Sequence, residues 1–126
     1  MDRALPSGDP NVERVELIKR VYDRFNARDM ETVLAAMHEY VTWENGMEGG
    51  HIRGRDGVRS YWTRQWAMID PHVEPLAFST NPDGEVGVDV HQIVRDLQGN
   101  VLADRMVGHI FRFENGLVKR FDIRRS

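Results

Sequence analysis

The chain has 126 residues, 40% hydrophobic and 29% charged, with a formal net charge of -3 and no cysteine; this is enough for one core and leaves no room for a second domain. The slight acidity and interspersed charges argue against nucleic-acid binding, and the lack of thiols removes disulfides, thiolate nucleophiles and thiolate metal sites. No apolar run approaches the ~20 residues that span a bilayer, and the polar start of the chain is unlike a signal peptide, so no membrane contact and a cytoplasmic location are expected.

Residues 1–9 are aperiodic and carry proline, glycine and serine, which reads as a flexible tail, with Asp9 placed to cap a helix starting at Pro10. Val15, Ile18, Tyr22 and Phe25 recur at helical spacing and predict a long amphipathic helix. Asp29 is placed to cap a shorter second helix with Val33, Leu34 and Met37 as its apolar face. The β-branched and aromatic run YVTWEN leads into GMEGGHIRG, read as a glycine turn and a short returning strand. A third helix is expected from Asp56, with Val58, Trp62, Trp66 and Ile69 on one stripe and Pro71 as its stop. VEPLAFST, EVGVDVHQIVRD, VLADRMVGHIFRF and LVKRFDIR then alternate like strands and should form an antiparallel meander.

This order of elements resembles the nuclear-transport-factor-2-like superfamily. RVYDRFNARDMETVLAAM resembles the opening helical pair of its SnoaL-like and ketosteroid-isomerase-like branches, and GHIFRFENGLVKRF resembles their closing hairpin. NGMEGGHIRGRDGVRSYWTRQW is similar to a narrower bacterial subgroup without an assigned activity. The resemblance implies an α+β cone, with a curved antiparallel sheet wrapped by three helices around an internal pocket, over residues 10–126 as a single domain. It also implies a homodimer through the sheet. It does not imply one activity, because the superfold hosts isomerases, cyclases, hydrolases, dehydratases and non-catalytic association domains. Aligned without gaps, the isomerase branch places its carboxylate base at Asn45, its oxyanion-hole tyrosine at Val21 beside Tyr22, and its protonated aspartate at His109. Asparagine cannot take a proton from carbon at neutral pH, so ketosteroid isomerase chemistry is not expected. The Arg and carboxylate pair of the epoxide-hydrolase branch finds only Asp104 and Arg105, adjacent and so on opposite sheet faces.

Within VLADRMVGHIFRF one parity holds Arg105, Val107, His109, Phe111 and Phe113, and its apolar members assign it to the pocket. His109 is then a general acid/base or a hydrogen-bond donor to a ligand oxygen, titrating near neutrality; the alternative is a core histidine satisfied by a backbone carbonyl or by Asn45. Arg105 needs a carboxylate partner, an acidic ligand or a place at the pocket mouth. The turn at 97–100 leaves the register open. A two- or four-residue loop puts Val88, Val90 and Gln92 on the His109 face, whereas a three-residue loop with a Gly99 bulge puts Asp89 and His91 there. The Val86, Val88, Val90 alternation favours Gln92 inside.

Tyr22, Trp43, Trp62, Trp66 and Phe111 complete the candidate ligand-binding set, suited to a flat, hydrophobic molecule, with simple packing as the alternative for each. His51 is read as a loop or rim residue and Glu44 as a surface one. The five histidines form no metal motif and no nucleotide or phosphate loop is present, so neither metal nor cofactor is expected. Two functions follow. One is a cofactor-independent isomerase, cyclase or dehydratase using His109, with Asn45, Gln92 or Tyr22 aimed at the same ligand oxygen. The other is a non-catalytic ligand-binding or dimeric association domain. Met106, Ile110 and His91 mark the outer sheet face as the dimer surface.

Overall fold

A computed structural model describes residues 10–124; the expected tail and the Asp9 cap lie outside them. Helix α1 spans Pro10–Asn26, with Glu13 in its first turn and Arg24 in its last, the charge order the helix dipole favours. It buries Ile18, Val21 and Tyr22. Asp29 caps α2 (Met30–Ala35) by accepting the Thr32 N–H. Met37, expected on the face of α2, instead opens β1 (Met37–Glu44), because the helix closes at Ala36. After the glycine turn come β2 (His51–Arg53), α3 (Gly54–Met68), β3 (Ile69–Thr80), β4 (Val86–Asp96), β5 (Val101–Glu114) and β6 (Leu117–Arg124). Ile69 and Pro71 thus belong to β3 and not to the end of α3, and β3 tolerates Pro71 and Pro75 because it is an edge strand.

The six strands form one curved, unclosed sheet in the order β2-β1-β6-β5-β4-β3. All pairings are antiparallel except β1 with β6, so the sheet is mixed. That parallel pair follows from the chain order: β1 is laid down before α3 and the meander returns to it last. Asn115 and Gly116 both take positive φ, 53° and 79°, which gives the two-residue turn that matches strand twist between β5 and β6.

The turn between β4 and β5 resolves the open register in an unexpected way. The Asp96 N–H donates to the Asn100 carbonyl at 2.8 Å and Gly99 adopts φ 93°, so the turn itself is the three-residue kind. A second irregularity follows at Leu102, where Arg95 pairs with Val101 but Val94 with Ala103. The two one-residue shifts cancel. Val88 therefore faces His109 and Gln92 faces Arg105, while His91 pairs with Met106 on the other side.

The end of α1 is fastened to β3 by side chains. Asn26 donates to the Val73 carbonyl at 2.7 Å and accepts the Val73 N–H at 3.0 Å. Arg28 donates to the Pro71 carbonyl at 2.6 Å and is ion-paired with Asp70. This holds α1 over the concave face of the sheet, where Ile18, Val33, Val41, Val58, Val86 and Phe111 are the heart of the core.

Candidate ligand cavity

Beneath α1 and α3 the concave sheet face is not filled, and a cavity of about 680 Å³ remains, within the usual size for a small-molecule site. Its deep wall is aromatic because β1, β5 and β6 each aim rings inward. Trp43 stacks on Phe121 with ring centres 4.0 Å apart, Phe111 lies 5.2 Å from Phe121, and Trp62 of α3 meets Trp43 edge to face at 5.4 Å.

Set into this wall is one polar pair. The Tyr22 hydroxyl lies 2.7 Å from His109 Nδ1, both side chains buried, with their rings parallel at 5.9 Å. No other acceptor for the phenol hydrogen and no other hydrogen bond to the imidazole occurs among the described residues. Which of the two donates is set by the imidazole tautomer, and both side chains line the cavity. Burial lowers the His109 pKa to about 4, opposed only by the Glu44 carboxylate, and burial likewise raises that of Tyr22 well above the usual phenol value. Near-neutral titration was expected from sequence. The expectation fails because no carboxylate hydrogen-bonds the ring and three aromatic rings surround it. At neutral pH the pair is a neutral phenol hydrogen-bonded to a neutral imidazole.

The other candidates separate into two groups. Tyr22, Trp43, Trp62, Phe111, Gln92 and Arg105 all line the cavity. Arg105 and Gln92 sit at the more exposed end of β5 and β4, where Arg105 Nε donates to Gln92 Oε1 at 2.9 Å. Trp66 and Asn45 do not line it. Trp66 stacks behind Trp62 at 5.7 Å and under the Arg28 guanidinium. Asn45 spends its amide on the glycine turn: Oδ1 accepts from Met47 and Glu48 N–H groups, and Nδ2 donates to Glu48. An asparagine opening a turn satisfies the backbone locally, so Asn45 does not partner His109.

Glu44, expected at the surface, is half-buried, contributes to the cavity wall and accepts the Ile123 N–H at 2.7 Å. With His51 and Asp122 it forms a set of possible metal ligands within 4.8 Å of one another, which no sequence motif announced. Arg120 already bonds both carboxylate oxygens of Asp122, and His51 bonds one, so a guanidinium supplies the positive charge there. Sequence reasoning also missed Tyr61 and Gln65, cavity residues joined by a Gln65 Nε2 to Tyr61 hydroxyl bond of 3.1 Å. Their i, i+4 spacing beside Trp62 was the available signal.

An open, curved mixed sheet with helices closing its concave face over an aromatic cavity defines the α+β cone class. The profile of the SnoaL-like domain matches residues 18–121, and the chain belongs to that family. A nuclear-transport-factor-2-like protein of unknown function from Burkholderia pseudomallei superposes with a TM-score of 0.79 at 26% identity, over 90% of this chain and 91% of that one. TerC, co-crystallised with polyporic acid, matches at 25% identity and TM-score 0.79, covering 90% and 92%. A Mycobacterium tuberculosis protein in complex with estradiol-17β-hemisuccinate shares the fold at 18% identity and TM-score 0.77, covering 90% and 94%. None of the curated protein sequences compared with this chain matches it. Among the described residues no helix is long and apolar enough to cross a membrane.

Proposed function

We propose that this protein binds a small, flat, mostly apolar oxygenated molecule in the cavity, with a ligand oxygen accepting a hydrogen bond from His109 Nε2–H. The observation that carries this reading is the Tyr22–His109 pair, a buried hydrogen-bonded pair set among the aromatic rings of the cavity's deep wall. A polar pair held in a fixed direction on the wall of a cavity is suited to meet a polar atom of a bound molecule. Small-molecule complexes of TerC and of the Mycobacterium tuberculosis protein support the same use of the fold.

The second reading is cofactor-independent isomerase, cyclase or dehydratase chemistry, and the same pair favours it. A neutral imidazole polarises a carbonyl and stabilises the oxyanion that forms when an adjacent carbon loses a proton. Thermal-shift titration with aryl ketones, phenols and steroids tests binding, since a ligand of the native state raises Tm. His109→Gln should leave Tm within ~2 kcal/mol equivalents of stability and weaken binding about tenfold or more. If catalysis also occurs, the loss in kcat should reach ~10²-fold or more. Absence of any stabilising ligand in such a panel overturns both readings.

The assembly proposed with this function is a homodimer through the outer sheet face. Met106 is exposed there and Ile93 and Ile110 are half-buried, between the His91–Asp104 and Arg124–Asp89 pairs. Light scattering should return about twice the 14.6 kDa chain mass, and Ile110→Asp should halve it. A wild-type monomer at micromolar concentration would refute the dimer.

A further inference from the structure

The cavity has two chemically different ends, and the second end is cationic. Charged residues in its wall are Glu44, Arg105 and Arg124. Glu44 holds the Ile123 N–H, and Arg124 lies 3.9 Å from Asp89. Arg105 has no carboxylate partner among the described residues; its Nε is committed to Gln92 Oε1, which orients the guanidinium and leaves its two terminal nitrogens for another acceptor. Asp104, its chain neighbour, is on the opposite sheet face and is paired with His91. Gln92 lies opposite Arg105 in the register, and Val73 lies opposite Gln92, so the adjoining strands bring no acid to this face.

Arg105 and His109 project from the same face of β5 four residues apart, a separation of ~13 Å along a strand. The wall between them is apolar, with Val107 on β5.

Resting on the pocket reading above, we propose that the ligand is an amphipathic carboxylate, its phenol or carbonyl oxygen at His109 and its carboxylate on the Arg105 guanidinium at the mouth. A planar guanidinium with two free terminal nitrogens matches a carboxylate in a two-bond fork, which an ammonium does not. Gln92 is the positioning residue that fixes the fork. Because Arg105 is partly solvated, it discriminates between acid and neutral ligands without the desolvation cost of a buried charge.

The test uses two matched pairs of probes: 4-hydroxybiphenyl with 4'-hydroxybiphenyl-4-carboxylate, and estradiol with its 17-hemisuccinate. Dissociation constants are read from quenching of Trp43 and Trp62 fluorescence at low and high salt. In the wild type the acid of at least one pair should bind about tenfold tighter than its neutral partner, ~1.4 kcal/mol, and the advantage should shrink with salt. Arg105→Gln should bring the ratio of acid to neutral affinity, measured on the same variant, to about one, and Arg105→Lys should restore only part of it. Gln92→Leu should reduce the ratio of acid to neutral affinity measured on the same variant. If neutral probes bind and the acids gain nothing, or Arg105→Gln leaves the gain intact, the anion site is wrong and the pocket reading stands. If no member of either pair binds, the pocket reading falls and this proposal with it.

Discussion

Phe111→Ala should lower the free energy of unfolding by about 3–5 kcal/mol, the range for losing a large buried ring. Phe111 is 1% exposed, and its ring centre lies within 6.4 Å of those of Tyr22, Trp43, His109 and Phe121. It is therefore the packing element that joins α1, β1, β5 and β6. Its removal costs the transfer of a large ring and the contacts of four others, and the void merges with the cavity above it. Merging lets water enter and limits the penalty, which keeps the expected loss from exceeding this range. A drop in Tm of roughly 10 °C or more should follow. Phe111→Leu, which keeps most of the volume, should cost less than half as much. Chemical denaturation gives the measurement, and an Ala variant within ~1 kcal/mol of wild type would mean that Phe111 does not anchor the wall.

How much of this was legible in the sequence depends on whether the deciding interaction was local. The long helices, the strand alternation and the face parity of β5 rest on periodicities of 3.6 and 2, which survive in any fold, so His109, Phe111 and Arg105 were placed on one face from sequence. The β4–β5 register was not legible. Two irregularities cancel there, and a bulge at Leu102 has no signature in residue type. Asn45 was assigned to the cavity by family position, yet the following glycine-rich turn captures its amide, a competition between a local turn and a distant partner that the turn wins. The Glu44, His51 and Asp122 set comes from three different strands and needs the parallel β1–β6 pairing to assemble. The low pKa of His109 was hidden for a related reason: burial depends on what surrounds a residue in three dimensions, and His109 meets Tyr22 from 87 residues away.

Between pH 6.5 and about 4 this protein should lose stability because of His109 alone, by about 3 kcal/mol over the interval. The sign follows from proton counts. The unfolded chain protonates this imidazole at about pH 6.5, whereas the folded chain resists until about pH 4, so in that window the unfolded state binds more protons and stability falls as pH falls. Below about pH 4 the folded state is protonated too, and this contribution levels off. The carboxylates of Asp29, Asp96 and Asp122 are held below their ordinary value of 3.8 by hydrogen bonds and ion pairs, so their stabilisation is lost only at lower pH, outside the histidine window. His109→Gln isolates the effect, since the other four histidines are common to both proteins. Urea unfolding at half-unit pH steps should show a wild-type slope that the variant lacks. Protonation would also place a second hydrogen on the ring, at Nδ1, so that the hydrogen bond runs from Nδ1–H to the Tyr22 hydroxyl oxygen. NMR of the imidazole should accordingly report the Nε2–H tautomer down to about pH 5. Equal pH slopes for wild type and variant, or an imidazole titrating near neutrality in the folded protein, would show that the Tyr22–His109 pair is solvated, and the neutral donor at the head of the cavity would have to be given up.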